Sequence, residues 1–349
     1  MVVLGADLHK RTHTVVAVDE RGRKLGERTI AATREGHLDL RRWASRWRTR
    51  RWALEDGRHL SRRLEADLLR AGEDVVRVPP KLMAGARRSS REPGKSDPID
   101  ALAVARAALR EPDLPAARLD GPERAVRLLV DRREDLVAER TREDQRLRWF
   151  LVELDIAEPA PASLDRVVVQ QRLAAALADR PELVAAIARE VLGRIVELSR
   201  RIRELEREIN DQIRGLAPAL LALVGCGPLT AAKIVGETGG VTRFHSKEAF
   251  ARHNGTAPVP VWSGNTVRHR LSRGGNRQLN VALHRIAITQ VRLGGLAKTY
   301  VEHRRTAGDT KTEALRALRR RLSDEVFRRL QLDAASQLTP RAALTAVAA

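Results

Sequence analysis

The chain has 349 residues, 65 Lys and Arg against 45 Asp and Glu, and a formal net charge of +20. A length of that order suggests two or three domains. The basic surplus favours a polyanionic partner, because Lys and Arg neutralise phosphates and release counterions; a generic basic protein, ribosomal or membrane-surface, is the alternative. The single cysteine, Cys226, excludes an internal disulfide and a thiol zinc cluster.

Cys226 also fits a reducing cytoplasm, and the N-terminal MVVLGADLHK lacks the apolar core of a signal peptide. No apolar run of about 18 residues is present, so no membrane span is expected. Aromatic residues make up only 3% of the chain, so its cores must be built from Leu, Val, Ala and Ile.

Val2 to Ala6 is a short apolar run ending at Asp7, His13 to Val18 is a second β-rich stretch, and Lys24 to Ile30 a third, after a turn at Asp19 to Gly22. These predict a three-stranded antiparallel meander. Arg34 to Trp47 has helical spacing at Leu40, Trp43 and Trp47; Arg51 to Glu55 reads as a fourth strand, Leu60 to Ala71 as a helix, and Asp74 to Val78 as a fifth strand closed by Pro79 and Pro80. Three strands, helix, strand, helix, strand is an α/β layered pattern that follows the ribonuclease-H-like order. Lys81 to Lys95 is basic and rich in Ser, Gly and Arg and is expected to be a mobile loop. Asp97 to Leu109 predicts a helix, with Ser96 at its N-cap and Pro98 in its first turn.

Gly121 to Leu154 is charged and helical, broken by Pro159 and Pro161. A second long helix is expected over Val191 to Leu216, where Ile195, Leu198, Ile202, Leu205 and Ile209 form a coiled-coil-like seam. That seam can close onto the 121–154 helix or pair two protomers, and the sequence does not choose. A mainly helical domain follows from about Leu220 to Leu332, and the Ala-rich tail from Asp333 to Ala349 is expected to be frayed. The resulting divisions are 1–113, 114–217, 218–332 and 333–349.

Four acidic residues fall where this α/β pattern gathers side chains. Asp7 ends the first strand and Glu55 the fourth, and Asp97 and Asp100 lie three apart on one helix face. An oxygen-only cluster of this kind binds Mg2+ or Mn2+ rather than zinc, and two such ions serve phosphoryl transfer. A carboxylate ending an apolar strand is costly unless paired; in a chain with surplus arginine, an Arg partner or a simple helix cap are the competing readings.

In the C-terminal half, Val224 to Lys233 has the form of a helix-hairpin-helix turn. Gly225 and Gly227 would let backbone amides approach a phosphate, with Lys233 on the following helix; a Gly-Pro turn between two packed helices is the alternative. Ser263-Gly264-Asn265, read unaided, is a hairpin turn. No residue adjacent to Ser263 is an obvious base, although His253 and His269 are nearby. Arg268, Arg270, Arg273 and Arg277 surround the Gly274-Gly275-Asn276 turn and form either a phosphate clamp or a solvated basic face.

The segments GADLHK (5–10), ALEDG (53–57) and KSDPIDA (95–101) resemble the DEDD motif of RuvC-like transposases, the insertion-sequence class called bridge-RNA-guided recombinases, to which the Piv-type DNA invertases are related. LVGCGPLTAAKIVGETG (223–239) and the block from Phe250 to Ala287 resemble the second transposase domain of that family, in the same order and with a long helical insert between. The resemblance implies a RuvC-like, ribonuclease-H-like N-terminal domain and catalytic, metal-binding roles for Asp7, Glu55, Asp97 and Asp100. It also implies a nucleophilic Ser263, Mg2+ or Mn2+ as cofactor, donor and target DNA as substrates, a structured guide RNA, a homo-oligomer, and a cytoplasmic, nucleoid-associated location. The competing functions are a hydrolytic junction-resolving nuclease, which needs the acids and water but not Ser263, and a nucleic-acid-binding protein without chemistry.

Overall fold

The computed structural model describes residues 1–55, 60–79, 82–83, 96–111, 114–157, 164–263, 266–270 and 274–347, with side chains described except at 261–263, 266–270 and 338–347. The expected loop at 81–95 lies almost wholly outside the described residues. The chain divides into two compact units, Met1–Asp120 and Gly121–Ala349. Among the described residues, no helix is long and apolar enough to cross a membrane.

The first unit is built on five strands: β1 (Val2–Leu8), β2 (Thr12–Val18), β3 (Lys24–Ala31), β4 (Arg50–Glu55) and β5 (Val75–Val78). Their order in the sheet is β3-β2-β1-β4-β5. The first three pair antiparallel, and β4 and β5 continue the sheet in parallel. This is the mixed sheet expected of a ribonuclease-H-like domain. Because β1 sits at the centre, both its faces are covered, which is why Val2 to Ala6 reads as a continuous apolar run and not as an alternating one.

The helices divide between the two faces. Leu4, Ala6, Val15, Ala17, Trp52 and Leu54 pack against Leu40 and Trp43 of α1 (Arg34–Ala44) and Leu64 and Leu68 of α2 (Arg62–Arg70). On the other face Val3, Val16, Val18, Ala53, Val76 and Val78 pack against Ala101, Leu102, Val104 and Ala105 of α3 (Asp97–Arg110).

The second unit begins with α4 (Pro122–Glu153), α5 (Val167–Ala178) and α6 (Leu183–Leu216). The five seam residues of α6 are all buried, and their partners lie on α4. Ile195 clusters with Leu147 and Leu151, Leu198 to Leu205 with Leu136, and Ile209 with Val126 and Val130. The two helices therefore run antiparallel, and the seam left open by the sequence closes within the chain. Helix α5, which the sequence did not signal, adds Leu173 and Leu177 to one end of that pairing.

The remaining elements are α7 (Pro218–Leu221), α8 (Pro228–Thr238), a 3-10 turn at Val241–Arg243, α9 (Lys247–His253), the hairpin β6 (Val259–Ser263) and β7 (Thr266–Arg270), α10 (Arg277–Leu293), α11 (Leu296–Thr306) and α12 (Lys311–Val347). The C-terminal segment differs from the frayed tail expected. Its alanines favour helix, and Asp333, 4% exposed, accepts hydrogen bonds from Ala219 N (2.7 Å) and Leu220 N (3.1 Å), tying α12 to the start of α7.

Candidate functional site

Strands β1 and β4 are parallel neighbours with Ala6 opposite Leu54. One step further along each strand stand Asp7 and Glu55. Side chains alternate along a strand, so Asp7 shares the face of Val3 and Gly5, and Glu55 the face of Ala53. Both acids therefore belong to the face that α3 covers.

Gly5 determines how closely α3 can approach. A Cβ at this position would fall 2.3 Å from Ala105 N and 2.4 Å from Ala101 O, so the helix backbone rests directly on the glycine. With Ala101 and Ala105 over Gly5, α3 runs back along β1, and its first turn, bearing Asp97 and Asp100, lies over the end of the strand. Ser96 stands at the N-cap without a side-chain cap hydrogen bond, and its carbonyl accepts from Asp100 N (3.0 Å).

The result is a compact group of charges. Asp7 and Asp100 are each 6% exposed, while Asp97 is half-exposed. His9 joins them: its Nε2 lies 3.0 Å from Asp7 Oδ2 and 3.3 Å from Asp97 Oδ1. One donor atom from each of Asp7, His9 and Asp97 falls within 4.8 Å of the other two. Burial pushes the Asp7 carboxyl above its ordinary range; the charges of Asp100 and Asp97 push it the same way, and His9 opposes them. A divalent cation would relieve a buried carboxylate repelled by two others, and the donor set of Asp7, His9 and Asp97 is compatible with one. His9 was missed by sequence reasoning. The available signal was its place two residues after Asp7, on the same side of the extending strand.

In the second unit, Gly225 adopts a left-handed conformation (φ 81°) in the turn before α8, and Gly227 is the N-cap of that helix. Lys233 requires a correction. It is 7% exposed and its Nζ lies 2.7 Å from Glu134 Oε2 on α4, so it is a buried ion-pair partner facing the helical hairpin and not a phosphate ligand. The basic residue looked available because its partner is 99 positions away in sequence.

Ser263 is the last residue of β6 and pairs with Thr266, the first of β7, across Gly264 and Asn265, which lie outside the described residues. The backbone thus places the serine at the last paired position of the hairpin. Arg268 and Arg270 lie on β7 opposite Val261 and Val259; Arg273 lies outside the described residues. Arg277 is the first residue of α10 and is exposed.

A polar framework ties together the chain segments that flank the hairpin in sequence. Gly275 presses on the backbone of Gly255, where a Cβ would come within 2.2 Å of its nitrogen. Asn276 N donates to His253 O (2.6 Å), Asn276 Nδ2 donates to Glu237 Oε2 (2.7 Å), and Asn254 Nδ2 donates to Ser323 Oγ (2.8 Å). His253 Nε2 lies 2.9 Å from Arg243 Nη2, and burial, with that guanidinium, pushes the imidazole down to about 3.

Comparison with known proteins agrees across both units. A DEDD transposase family model matches residues 4–155, and the model "Transposase IS116/IS110/IS902 family" matches residues 217–302. The "Insertion element IS116 uncharacterized 44.8 kDa protein" of Streptomyces clavuligerus is 29% identical, covering 94% of each chain. The "Insertion element IS900 uncharacterized 42 kDa protein" of Mycobacterium paratuberculosis is 26% identical, covering 91% of this chain and 92% of its own. Among solved structures, T. thermophilus RuvC in complex with Holliday junction substrate matches 32% of this chain and 94% of its own, with 18% identity and a TM-score of 0.25.

Proposed function

Because the chain belongs to the IS116/IS110/IS902 family of transposases, we propose that it moves an insertion sequence by cutting and rejoining DNA, with Asp7, Glu55, Asp97 and Asp100 holding Mg2+ or Mn2+ and Ser263 attacking the phosphate. The observation that carries the acidic half of this reading is the grouping of buried Asp7 with Asp97, Asp100 and the end of β4. A bound divalent cation would neutralise charge on the phosphate and lower the barrier to its substitution.

The protein's own groups divide the work. Asp7 is fixed by the central strand, and Asp97 and Asp100 by the first turn of α3, so the carboxylates are held before a ligand arrives and little ordering remains to be done on binding. In the strand-cleavage step the Ser263 oxygen forms a bond to phosphorus and the bond to one deoxyribose oxygen breaks. The serine proton ends on the departing hydroxyl. The phosphoserine diester conserves the energy of the broken bond, so a second DNA hydroxyl can displace the serine and rejoin the strands. Arg268, Arg270 and Arg277, with Arg273, are proposed to hold backbone phosphates, and the left-handed Gly225 and the Gly227 N-cap to present amides to another. A structured guide RNA would read donor and target by base pairing, and the working form would be a homo-oligomer.

The test is Ser263→Ala, with DNA binding measured separately. Wild-type protein incubated with Mg2+ and a labelled substrate should yield a protein–DNA adduct that survives denaturation, and the variant none. An adduct-free wild type that still cleaves would favour water as the attacking group.

A further inference from the structure

We propose that His9 is a nitrogen ligand of the divalent cation, making this a mixed carboxylate–imidazole centre that prefers Mn2+ to Mg2+. The inference rests on the reading that Asp7, Glu55, Asp97 and Asp100 hold a cation, and it concerns what the imidazole beside Asp7 and Asp97 adds.

The geometry carries it. A histidine beside one carboxylate is an ordinary ion pair. Here one ring nitrogen, Nε2, faces two carboxylates from different elements, Asp7 at the end of β1 and Asp97 at the start of α3, at 3.0 and 3.3 Å. Donors sitting side by side around a cation at about 2.1–2.2 Å are separated by about 3 Å. The spacing between the nitrogen and the two oxygens is therefore already that of neighbouring vertices of a coordination polyhedron. His9 is also half-exposed, so it can turn by the small amount needed without displacing core packing. As a ligand it would carry the lone pair on Nε2 and its proton on Nδ1.

The chemical consequence follows from the donor type. Mg2+ demands oxygen ligands and gives up water reluctantly. Imidazole nitrogen is a softer donor that raises affinity for first-row transition dications over Mg2+. Replacing one water or carboxylate oxygen with Nε2 thus tilts the centre toward Mn2+ without closing it to Mg2+.

The experiment uses full-length protein, with Mn2+ and Mg2+ alone as probes. Pulsed EPR of bound Mn2+ should show coupling to a directly bonded nitrogen in wild type and lose it in His9→Gln. Calorimetric titration should show that variant binding Mn2+ at least about tenfold more weakly, with Mg2+ binding changed by less than about threefold. A nitrogen coupling missing from wild type, or persisting in His9→Gln, overturns the proposal, as does an equal loss for both ions. Asp7→Asn separates this from the underlying reading. If it leaves Mn2+ binding intact, the acidic centre is not the cation site; if it abolishes binding while His9→Gln changes nothing, only the role of His9 fails. A thermal melt of each variant confirms that the fold is retained.

Discussion

Gly5 of the central strand and Ala105 of α3 are in backbone contact: a Cβ on Gly5 would lie 2.3 Å from the Ala105 nitrogen. This single close approach sets the depth at which α3 lies on the sheet, and so the distance of Asp97 and Asp100 from Asp7. Gly5→Ala should push the helix outward, costing about 1–3 kcal/mol of stability as an overpacked core does. Because Asp97 and Asp100 are carried on the displaced element while Asp7 stays on the strand, divalent-cation binding should fall more steeply than stability. Urea denaturation and Mn2+ titration of the same variant check both; unchanged cation affinity in a destabilised protein would separate the glycine contact from the placement of the acids.

Asp7 is held above its ordinary pKa first by burial and then by Asp100 and Asp97, with His9 opposing. A carboxyl whose folded pKa is raised contributes stability below its unfolded pKa of 3.8, and that contribution is lost as pH rises through the folded value. At neutral pH the cation-free protein therefore carries an unfavourable charge at this position. Asp7→Asn should leave the cation-free protein at least as stable as wild type while abolishing cleavage. Divalent cation at a hundredfold excess over Kd should raise wild-type stability by about 2.7 kcal/mol and leave the variant unmoved. Melts with Mg2+, Mn2+ and EDTA read this directly; equal stabilisation of both proteins would place the cation elsewhere.

The acids were legible in the sequence because strand parity and helix spacing are local rules. Asp7 ends an apolar run, Glu55 ends another, and an i,i+3 pair opens a helix. The meander follows from turns and run lengths in the same way, whereas the place of β4 beside β1 came from the ribonuclease-H-like order of the elements. What stayed hidden depended on tertiary neighbours. His9 gains its meaning only when α3 brings Asp97 to it, and the partner of the α6 seam could not be chosen until α4 was seen to pack on it. Lys233 reads as a free basic residue on a DNA-facing turn until Glu134 of a distant helix accounts for it. Helix α12 is tied by Asp333 to the first turn of a helix more than a hundred residues earlier, a contact no local pattern signals.

His13 on β2 and His37 on α1 stack with ring centroids 5.5 Å apart, both buried, and His37 Nδ1 lies 2.7 Å from Asp67 Oδ2. Burial, followed by the charge of His37, pushes His13 down to about 4. The folded protein then binds fewer protons at this group than the unfolded chain. Stability should be full above pH 6.5 and fall on acidification until about pH 4. The loss from His13 amounts to about 2 kcal/mol at pH 5. His253, held down to about 3 by its own burial, adds to the slope in the same direction. Urea midpoints at pH 7 and pH 5 measure the effect, and His13→Phe should flatten part of it; a wild-type midpoint that does not move would remove the buried-histidine account.

Lys233, in the helix-hairpin-helix-like turn, and Arg277, in the arginine group around Gly274 to Asn276, are both candidate phosphate contacts in the sequence, and their burial separates them. Lys233 Nζ is buried against Glu134, whereas Arg277 opens α10 with its side chain exposed. Lys233→Met should lower stability by about 1–2 kcal/mol, less than for a fully buried pair because the Glu134 side chain is 40% exposed. It should leave the salt dependence of DNA binding untouched, since no counterion is released by a lysine that never meets a phosphate. Arg277→Ala should do the reverse: near-normal stability, weaker binding to any sequence, and a slope of log affinity against log salt reduced by about 1. Binding isotherms at several salt concentrations, beside denaturation curves, distinguish the two. A salt slope that falls in Lys233→Met would mean that the ion pair with Glu134 opens when nucleic acid arrives.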